Sequence, residues 1–353
     1  MRALIIGLCG AVAAAAAASA GPSLCSLVAI ADGHTETSVL AALRADGTLG
    51  GPAIPLSVEP MSGLLACSTA AGAAGTCLYS PPLADQATTG LIEVGIVSRK
   101  AAAYKLHDPA GFKGSFEVGA LAASETAGDA VALMATDSSG GAPWVAITEL
   151  TLVDGVPRVR YNLTGEHFQQ LTSAMGSAYD AATRTSYVVG VVGGNPAVVA
   201  VPLGPALASV SAPAPATASG DAAPPAATWL PNATLPDAFS PLGFTWCGGT
   251  ANAVVGVGIV AAPSVYGMYA LSAKTLKWRK LIAWTKETFY LSGLGQITCS
   301  PDGTIVHAVL SNAQGVHVLP GVDTATGKEV SRITMANSTY FVGAVSYCPS
   351  SFA

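Results

Sequence analysis

Residues 295–310 read GQITCSPDGTIVHAVL, which is a short apolar run, a turn and a second apolar run. The Pro-Asp-Gly at positions 301–303 supplies turn chemistry, because proline fixes φ and glycine accepts a positive φ. Two apolar runs around such a turn predict a β-hairpin. The last residues, 343–353, read GAVSYCPSSFA and begin in the same way, but they stop where the second strand of the hairpin is expected. That strand has to come from elsewhere in the sequence.

The same glycine-led segment recurs along the chain. A glycine followed by an apolar run and a turn occurs at Gly63, Gly119, Gly176, Gly243, Gly295 and Gly343. Successive spacings are 56, 57, 67, 52 and 48 residues, and the step from Gly343 around to Gly63, counted from residue 21, is 53 residues. A period of this size that closes on itself indicates a circular repeat.

Each repeat divides into four strands. In the repeat that starts at residue 295 they are GQITCS, TIVHAVL, GVHVLPGV and EVSRITM, with polar turns between them. Six such units in a ring predict an all-β fold, a six-bladed β-propeller with four-stranded blades over residues 21–353. The first blade is split, since GAVSYC near the C-terminus supplies its innermost strand and LCSLVAIADG near the N-terminus supplies the next. Pairing of the two chain ends closes the ring and removes open sheet edges.

The cysteines agree with this split blade. Cys67 and Cys77 lie on the first two strands of the second repeat, and Cys25 and Cys348 hold the corresponding places in the split blade. Disulfides Cys67–Cys77 and Cys25–Cys348 are therefore predicted. The other two cysteines, Cys247 and Cys299, lie on the innermost strands of neighbouring repeats. Whether they pair is left open, because their Cα atoms must come within reach of a disulfide.

The N-terminus predicts export. Residues 1–20 contain one positive charge, an apolar run and the small-residue triplet Ala-Ser-Ala, which together indicate a cleaved secretory signal peptide. Three of the six asparagines stand in Asn-x-Ser/Thr triplets, at Asn162, Asn232 and Asn337, and predict N-glycosylation. An even number of cysteines after residue 20 also fits a secreted, extracellular glycoprotein with disulfide bonds. A bacterial periplasm is the alternative compartment, since it also permits disulfides and signal peptides of this kind.

Charge and composition exclude two classes of partner. Removal of the signal peptide leaves 15 basic and 21 acidic residues, a net charge of −6, without the basic surface that nucleic acid requires. Only 10% of residues are charged, and positions 253–271 carry no charge at all. That segment contains glycines and a central proline, so two buried strands explain it better than a membrane-spanning helix. We expect a monomer that neither binds nucleic acid nor inserts into a membrane.

One segment departs from the strand pattern. Residues 205–236 read PALASVSAPAPATASGDAAPPAATWLPNATLP and are rich in proline, alanine and serine. This composition predicts an exposed loop insert within the propeller rather than a domain boundary.

Short motifs resemble known repeat propellers. ITCSPDGTIVHAV resembles the SPDG-type repeats of TolB-like and YVTN-type propellers, and YGMYALSAKTLKWRKLI and VDTATGKEV resemble elements of quinoprotein-like propellers. The resemblance implies the fold rather than an activity, because Asp-Gly and Thr-Gly are ordinary turn residues.

The sequence gives little support for the metal and cofactor sites that are known from other propellers. Gluconolactonase- and paraoxonase-type propellers hold calcium with a Glu, Asn and Asp set at the channel mouth, whereas the innermost strands here offer one carboxylate, Asp180, on the turn side. A quinone cofactor needs stacked tryptophans, and Trp246 stands alone on these strands. We expect no metal and no cofactor. His307 and His317 lie within apolar strands and are interpreted as buried structural residues.

The predicted ligand-binding face is formed by loops between the second and third strands of the blades and by loops between blades. The residues placed on it are Asp32, His34, Asp85, Asp137, Asn195, Asn312, Trp229, Trp284, Phe289, Tyr290 and Tyr340. Aromatic residues beside polar loops are typical of a surface that binds a protein or glycan ligand. A non-catalytic binding or scaffold domain is therefore the first functional hypothesis. The alternatives are a hydrolase or lactonase using Asp32 and His34 as acid and base, and a quinone-dependent oxidoreductase.

Overall fold

The computed structural model describes residues 23–31, 36–56, 63–68, 75–81, 90–104, 116–123, 129–136, 145–151, 157–163, 177–192, 195–204, 228–237, 239–261, 265–285, 290–291, 297–312, 314–336, 340–348 and 352. These residues form 26 strands in six antiparallel sheets and no α-helix. The prediction of an all-β, six-bladed propeller is thereby confirmed. In the described part of the chain, no helix is long and apolar enough to cross a membrane.

The first three blades are given from the channel outward. Blade 1 consists of β26 (Tyr340–Cys348), β1 (Ser23–Ala31), β2 (Glu36–Leu43) and β3 (Leu49–Leu56). Blade 2 consists of β4 (Leu64–Cys67), β5 (Thr76–Ser80), β6 (Leu91–Gly95) and β7 (Lys100–Tyr104). Blade 3 consists of β8 (Phe116–Ala123), β9 (Asp129–Thr136), β10 (Val145–Thr151) and β11 (Pro157–Asn162).

The other three blades follow the same plan. Blade 4 consists of β12 (Ser177–Asp180), β13 (Thr185–Val192), β14 (Asn195–Pro202) and β15 (Thr228–Thr234). Blade 5 consists of β16 (Ser240–Cys247), β17 (Ala253–Ala261), β18 (Val265–Ser272) and β19 (Trp278–Trp284). Blade 6 contains β20 (Tyr290–Leu291), β21 (Ile297–Cys299), β22 (Ile305–Ala308), β23 (Leu310–Ser311), β24 (His317–Asp323) and β25 (Glu329–Thr334). Its inner two strands are each assigned in two pieces, since β20 and β21 pair with β23 and β22 and both of the latter pair with β24.

The chain ends close the ring as predicted. Strand β26 from the C-terminus pairs with β1 from the N-terminus, with Cys25 opposite Ser346 and Ser23 opposite Cys348. The innermost strands then contact one another in the order β26, β4, β8, β12, β16, β21 and back to β26. Between blades 1 and 2, the Cys67 N–H donates to Ser346 Oγ at 3.1 Å.

All six described cysteines are paired. The predicted disulfides Cys25–Cys348 and Cys67–Cys77 are present, and Cys247–Cys299, which the sequence left open, joins β16 to β21 with its Cα atoms 5.4 Å apart. The first two differ in register, contrary to the expectation of equivalent positions. Cys67 stands directly opposite Cys77, whereas Cys25 and Cys348 are diagonal neighbours across their strand pair.

The core is distributed between the blades rather than concentrated in one place. Six clusters of buried apolar side chains each fill the interface of two adjacent blades. Val188 faces blade 3 and the next residue, Val189, faces blade 5, because successive side chains of a strand point to opposite faces. Strands packed between two blades are therefore apolar on both faces, which contributes to the low share of charged residues in the sequence.

The Asp302–Gly303 turn also contacts the neighbouring blade. Asp302 Oδ1 accepts hydrogen bonds from Ser300 Oγ at 2.5 Å and from the Thr304 N–H at 3.1 Å, which lower the pKa of its carboxyl group. Gly303 has φ +75° and packs against the backbone carbonyl of Gly248 in blade 5. The motif that identifies the repeat therefore also joins one blade to the next.

Part of the predicted loop insert is a strand. Residues 228–234 lie within the predicted segment 205–236, yet they form β15, the outermost strand of blade 4. Residues 205–227 lie outside the described residues. Two of the three glycosylation triplets also fall on outermost strands, with Asn162 ending β11 and Asn232 in β15. Asn337 and the predicted signal peptide, 1–20, lie outside the described residues, and glycosylation stays a prediction.

Candidate functional site: the central channel

The innermost strands surround a cavity of about 200 Å³. Every blade contributes to its wall, and the side chains that line it are apolar, aromatic or hydroxylic, with no charged residue among the described ones. The lining residues with polar or aromatic side chains are Ser177, Tyr179, Phe244, Thr245, Trp246, Thr298, Ser346 and Tyr347. Such a wall suits an uncharged ligand, because it offers aromatic faces and hydrogen-bonding hydroxyls without a formal charge.

One position in each repeat encircles this cavity. It is the residue immediately before the cysteine, or before the residue that replaces the cysteine, at the end of each innermost strand. Around the ring from blade 1 to blade 6 it is occupied by Tyr347, Ala66, Ala122, Tyr179, Trp246 and Thr298. Blades 2 and 3 present alanine where blades 1, 4 and 5 present aromatic rings, so the cavity wall has small side chains on one side and large ones on the other. The cavity is therefore asymmetric although the fold repeats.

Trp246 is held by stacking on the neighbouring blade. Its ring lies 5.1 Å from that of Tyr187 with an interplanar angle of 8°. Burial and the charge of Asp180 raise the pKa of Tyr187, which keeps its phenol neutral. The Asp180 carboxylate accepts hydrogen bonds from the Ala182 N–H at 3.1 Å and Thr183 Oγ1 at 2.6 Å, so it caps the β12–β13 turn. Asp180 thus serves a turn. The innermost strand of blade 3 begins earlier than the sequence parse indicated and also contains a carboxylate residue, Glu117.

Tyr347 is anchored to a buried histidine of blade 6. Its hydroxyl lies 3.1 Å from His307 Nδ1, and His307 Nε2 lies 3.5 Å from Ser331 Oγ. Burial, and secondarily the charge of Asp302, raises the pKa of Tyr347 to about 12, so the hydroxyl keeps its proton. Burial lowers the pKa of His307 to about 4, so the imidazole is neutral. This arrangement fixes the tyrosine ring at the channel wall.

We expect the two buried histidines to make stability depend on pH. Burial lowers the pKa of both His307 and His317 to about 4, whereas an unfolded histidine has a pKa of about 6.5. The unfolded chain therefore binds more protons between these values, and the free energy of unfolding falls as pH drops from about 6.5 to about 4. The slope is at most about 1.4 kcal/mol per pH unit for each histidine.

Urea unfolding of the wild type and of a His307→Asn variant between pH 5 and 6.5 measures this contribution. Asparagine retains an acceptor for the tyrosine hydroxyl but does not titrate, so the variant should lose one histidine's share of the slope. Equal slopes in the two proteins would show that His307 titrates alike in the folded and unfolded chains, contrary to the lowered pKa.

Most residues of the predicted ligand-binding face are not placed by the structure. Asp32, His34, Asp85, Asp137 and Phe289 lie outside the described residues, and the side chains of Asn195, Trp229 and Tyr290 are not described either. Their role in binding stays a prediction, as does that of Asp32 and His34 in catalysis.

Three predicted residues are placed, and their contacts are structural. Trp284 is 7% exposed, packs between blades 5 and 6, and donates its indole N–H to Glu329 Oε2 at 3.1 Å. It does not lie on an exposed binding surface. Asn312 Oδ1 accepts from the Val316 N–H at 2.9 Å and so stabilises a turn. Tyr340 is half-buried against the blade 1 core.

Sequence reasoning did not identify the channel residues, because their side chains are neither carboxylates nor typical metal ligands. Tyr179, Thr298 and Tyr347 were not proposed, although the repeat alignment places each one directly before the cysteine position. A comparison of the repeats at that position would have shown the change from alanine to aromatic residues. These residues also lie toward the C-terminal ends of the innermost strands, whereas the predicted face lies at the ends where inter-blade loops enter.

The fold and the channel define this chain as a six-bladed β-propeller. No known protein family matches the sequence, and no curated protein matches it. Among solved structures, TolB from Acinetobacter baumannii is similar, with a TM-score of 0.53 at 12% identity, covering 93% of this chain and 67% of that chain. A chain of a nidogen/laminin complex has a TM-score of 0.54 at 11% identity, covering 94% and 99%. The periplasmic gluconolactonase of Pseudomonas aeruginosa gives 0.46 at 12%, covering 90% and 84%. At such identities the similarity establishes the fold alone.

Proposed function

We propose that the chain is a secreted, non-catalytic binding propeller that holds an uncharged part of a glycan or protein ligand in its central channel. The observation that carries this proposal is the wall of the cavity, where Tyr179, Trp246 and Tyr347 stand beside hydroxyl side chains and no described lining residue is charged. Neutral sugars offer both apolar ring faces and hydroxyls, and amphipathic aromatic side chains bind such groups well. A glycan is accordingly the ligand that the channel chemistry favours.

Export is part of the same proposal. The three disulfides are typical of proteins that mature outside the cytosol. Two Asn-x-Ser/Thr triplets fall on outermost strands, at the rim farthest from the channel, where an attached glycan leaves the channel open. The similar chain from a nidogen/laminin complex is a propeller found in a complex with another protein, which supports a binding role without identifying a partner.

Binding of the secreted protein to an array of neutral, sialylated and sulfated glycans tests the proposal. We expect neutral glycans to be retained preferentially, because burying a charged group beside an uncharged wall costs free energy. A Trp246→Ala variant should weaken binding by about tenfold or more, as expected for an aromatic side chain at the centre of a binding site. Trp284→Phe is the matched control, since Trp284 lies between two blades away from the cavity.

Two results would contradict the proposal. The first is glycan binding that Trp246→Ala leaves unchanged, which would place the site outside the channel. The second is release of a cleaved product from the glycan, which would favour the hydrolase alternative. Binding of a secreted protein instead of a glycan, still weakened by Trp246→Ala, would retain the channel as the site and change the class of ligand.

A further inference from the structure

Two disulfides touch each other beside the channel. Cys25–Cys348 joins the inner strands of blade 1, and Cys67–Cys77 joins those of blade 2. The Sγ atom of Cys348 lies 3.5 Å from that of Cys67 and 3.7 Å from that of Cys77. These distances are close to van der Waals contact between sulfur atoms. A thiolate formed on either cysteine of blade 2 would therefore lie next to a sulfur of the other disulfide.

The four sulfur atoms differ in accessibility. Cys25, Cys77 and Cys348 are 0% exposed. Cys67 is half-buried and lines the cavity. A small thiol in the channel consequently reaches Cys67 without any opening of the fold, whereas the disulfide that joins the chain ends is shielded from direct attack. Thiol–disulfide exchange depends on such access as well as on thiol chemistry.

We propose that Cys67–Cys77 is an exchange-active disulfide through which a low-molecular-weight thiol opens the buried Cys25–Cys348 bond. The thiolate of the small molecule attacks Cys67 Sγ, forms a mixed disulfide and releases Cys77 as a thiolate. Cys77 then attacks Cys348 Sγ, forms Cys77–Cys348 and releases Cys25 as a thiolate, which takes up a proton. One external thiol is consumed as the mixed disulfide and one protein thiol appears, so electrons and atoms balance without an oxidant.

The consequence is a change of linkage at the ring closure. After exchange the C-terminal strand is tied to blade 2, and the N-terminal strand is held only by its hydrogen bonds to β26 and β2. The third disulfide supplies an internal control. Cys299 also lines the cavity, but Cys247 and Cys299 do not belong to a group of three neighbouring cysteine sulfurs among the described residues. A thiolate released from Cys247–Cys299 would therefore have no second disulfide beside it to attack.

Trypsin separates the products because its cleavage sites fall between the relevant cysteines. Cys67 and Cys77 share the peptide 45–99, Cys348 lies on 333–353, and Cys25 lies on the peptide that ends at Arg44. The folded protein is treated with reduced glutathione, quenched with acid, alkylated and digested. We expect 45–99 carrying one glutathione to be linked to 333–353, with Cys25 alkylated. Adducts on Cys299 should occur without new linkages.

A double variant measures the dependence on the exchange. Replacing both Cys67 and Cys77 by alanine should slow the opening of Cys25–Cys348 by glutathione by about tenfold or more, because the accessible sulfur is gone. Loss of stability in the variant would act in the opposite direction and speed the opening. Replacing Cys247 and Cys299 by alanine should leave the rate near that of the wild type. Opening of Cys25–Cys348 at an unchanged or faster rate without blade 2's disulfide, or absence of the 45–99 to 333–353 linkage, would overturn the proposal.

Discussion

Replacing both Cys25 and Cys348 by alanine is expected to lower the free energy of unfolding by about 5 kcal/mol, against about 3 kcal/mol for Cys67 and Cys77. The reason is the length of the closed loop, which is set by a sequence separation of 323 residues for the first disulfide and 10 for the second. A longer closed loop restricts the unfolded chain more. Alanine is preferred to serine because Cys25, Cys77 and Cys348 are buried, where an unpaired hydroxyl would be destabilising.

Equilibrium unfolding of the two double variants in guanidinium chloride measures this difference. Removing both cysteines of each disulfide prevents a leftover thiol from attacking the neighbouring bond 3.5 Å away. The Cys25/Cys348 variant should be the less stable of the two in both unfolding and refolding titrations. Equal losses in the two variants would show that the ring closure gains nothing from joining the chain ends.

Gly303→Ala is expected to lower the free energy of unfolding by about 3–4 kcal/mol. Gly303 has φ +75°, and a Cβ atom there would overlap the carbonyl oxygen of Gly248 in the neighbouring blade. That oxygen belongs to the backbone of a turn whose Thr250 N–H donates to the Asp302 carbonyl at 3.2 Å, so neither turn moves without loss of the contact. The substitution therefore disturbs the interface of blades 5 and 6 as well as the turn.

Gly315→Ala is the matched control. Gly315 has nearly the same conformation, φ +76°, but no atom lies within 4 Å of the position where its Cβ would be. The substitution should lower the free energy of unfolding by about 1 kcal/mol, which is the strain of a left-handed conformation for alanine. The difference between the two variants in urea unfolding isolates the contact between blades. Equal losses would mean that Gly303 serves the turn alone.

The blade number and the split blade could be predicted because the signals are local and repeated. Asp302 and Gly303 form the turn that their residue types require, and the cysteines of the first two blades stand on adjacent strands as their spacing indicated. The register of the strands could not be predicted in this way, because it depends on the pairing of whole strands. The offset that puts Cys25 opposite Ser346 cannot be derived from spacing alone.

Packing between blades explains what the sequence did not predict. Residues 228–234 contain a proline and lie in a segment of loop composition, yet they pair with β14, so strand formation here follows the open edge of the blade rather than propensity. Trp284 was expected on a binding surface because it precedes a loop between blades. It is buried because the outer strand of blade 5 also faces blade 6, where Glu329 accepts its N–H.

The residues of the channel wall could not be predicted from single strands, because they come together only in the assembled ring. Ala122 and Trp246 are unremarkable within their own strands, and only the circular arrangement brings the equivalent positions of six blades around one cavity. The difference between small and aromatic side chains at that position is therefore visible only when the six repeats are compared with one another. It is the feature that now directs the search for a ligand to the channel rather than to the outer loops.

The closed ring is tested most directly by peptide mapping of the unreduced protein, alkylated and digested at acidic pH to prevent exchange. We expect the peptide ending at Arg44 to be linked to 333–353, 45–99 to carry an internal disulfide, and 185–274 to be linked to 287–328. Recovery of Cys348 linked to Cys299, or as a free thiol, would contradict the split first blade and the ring that it closes.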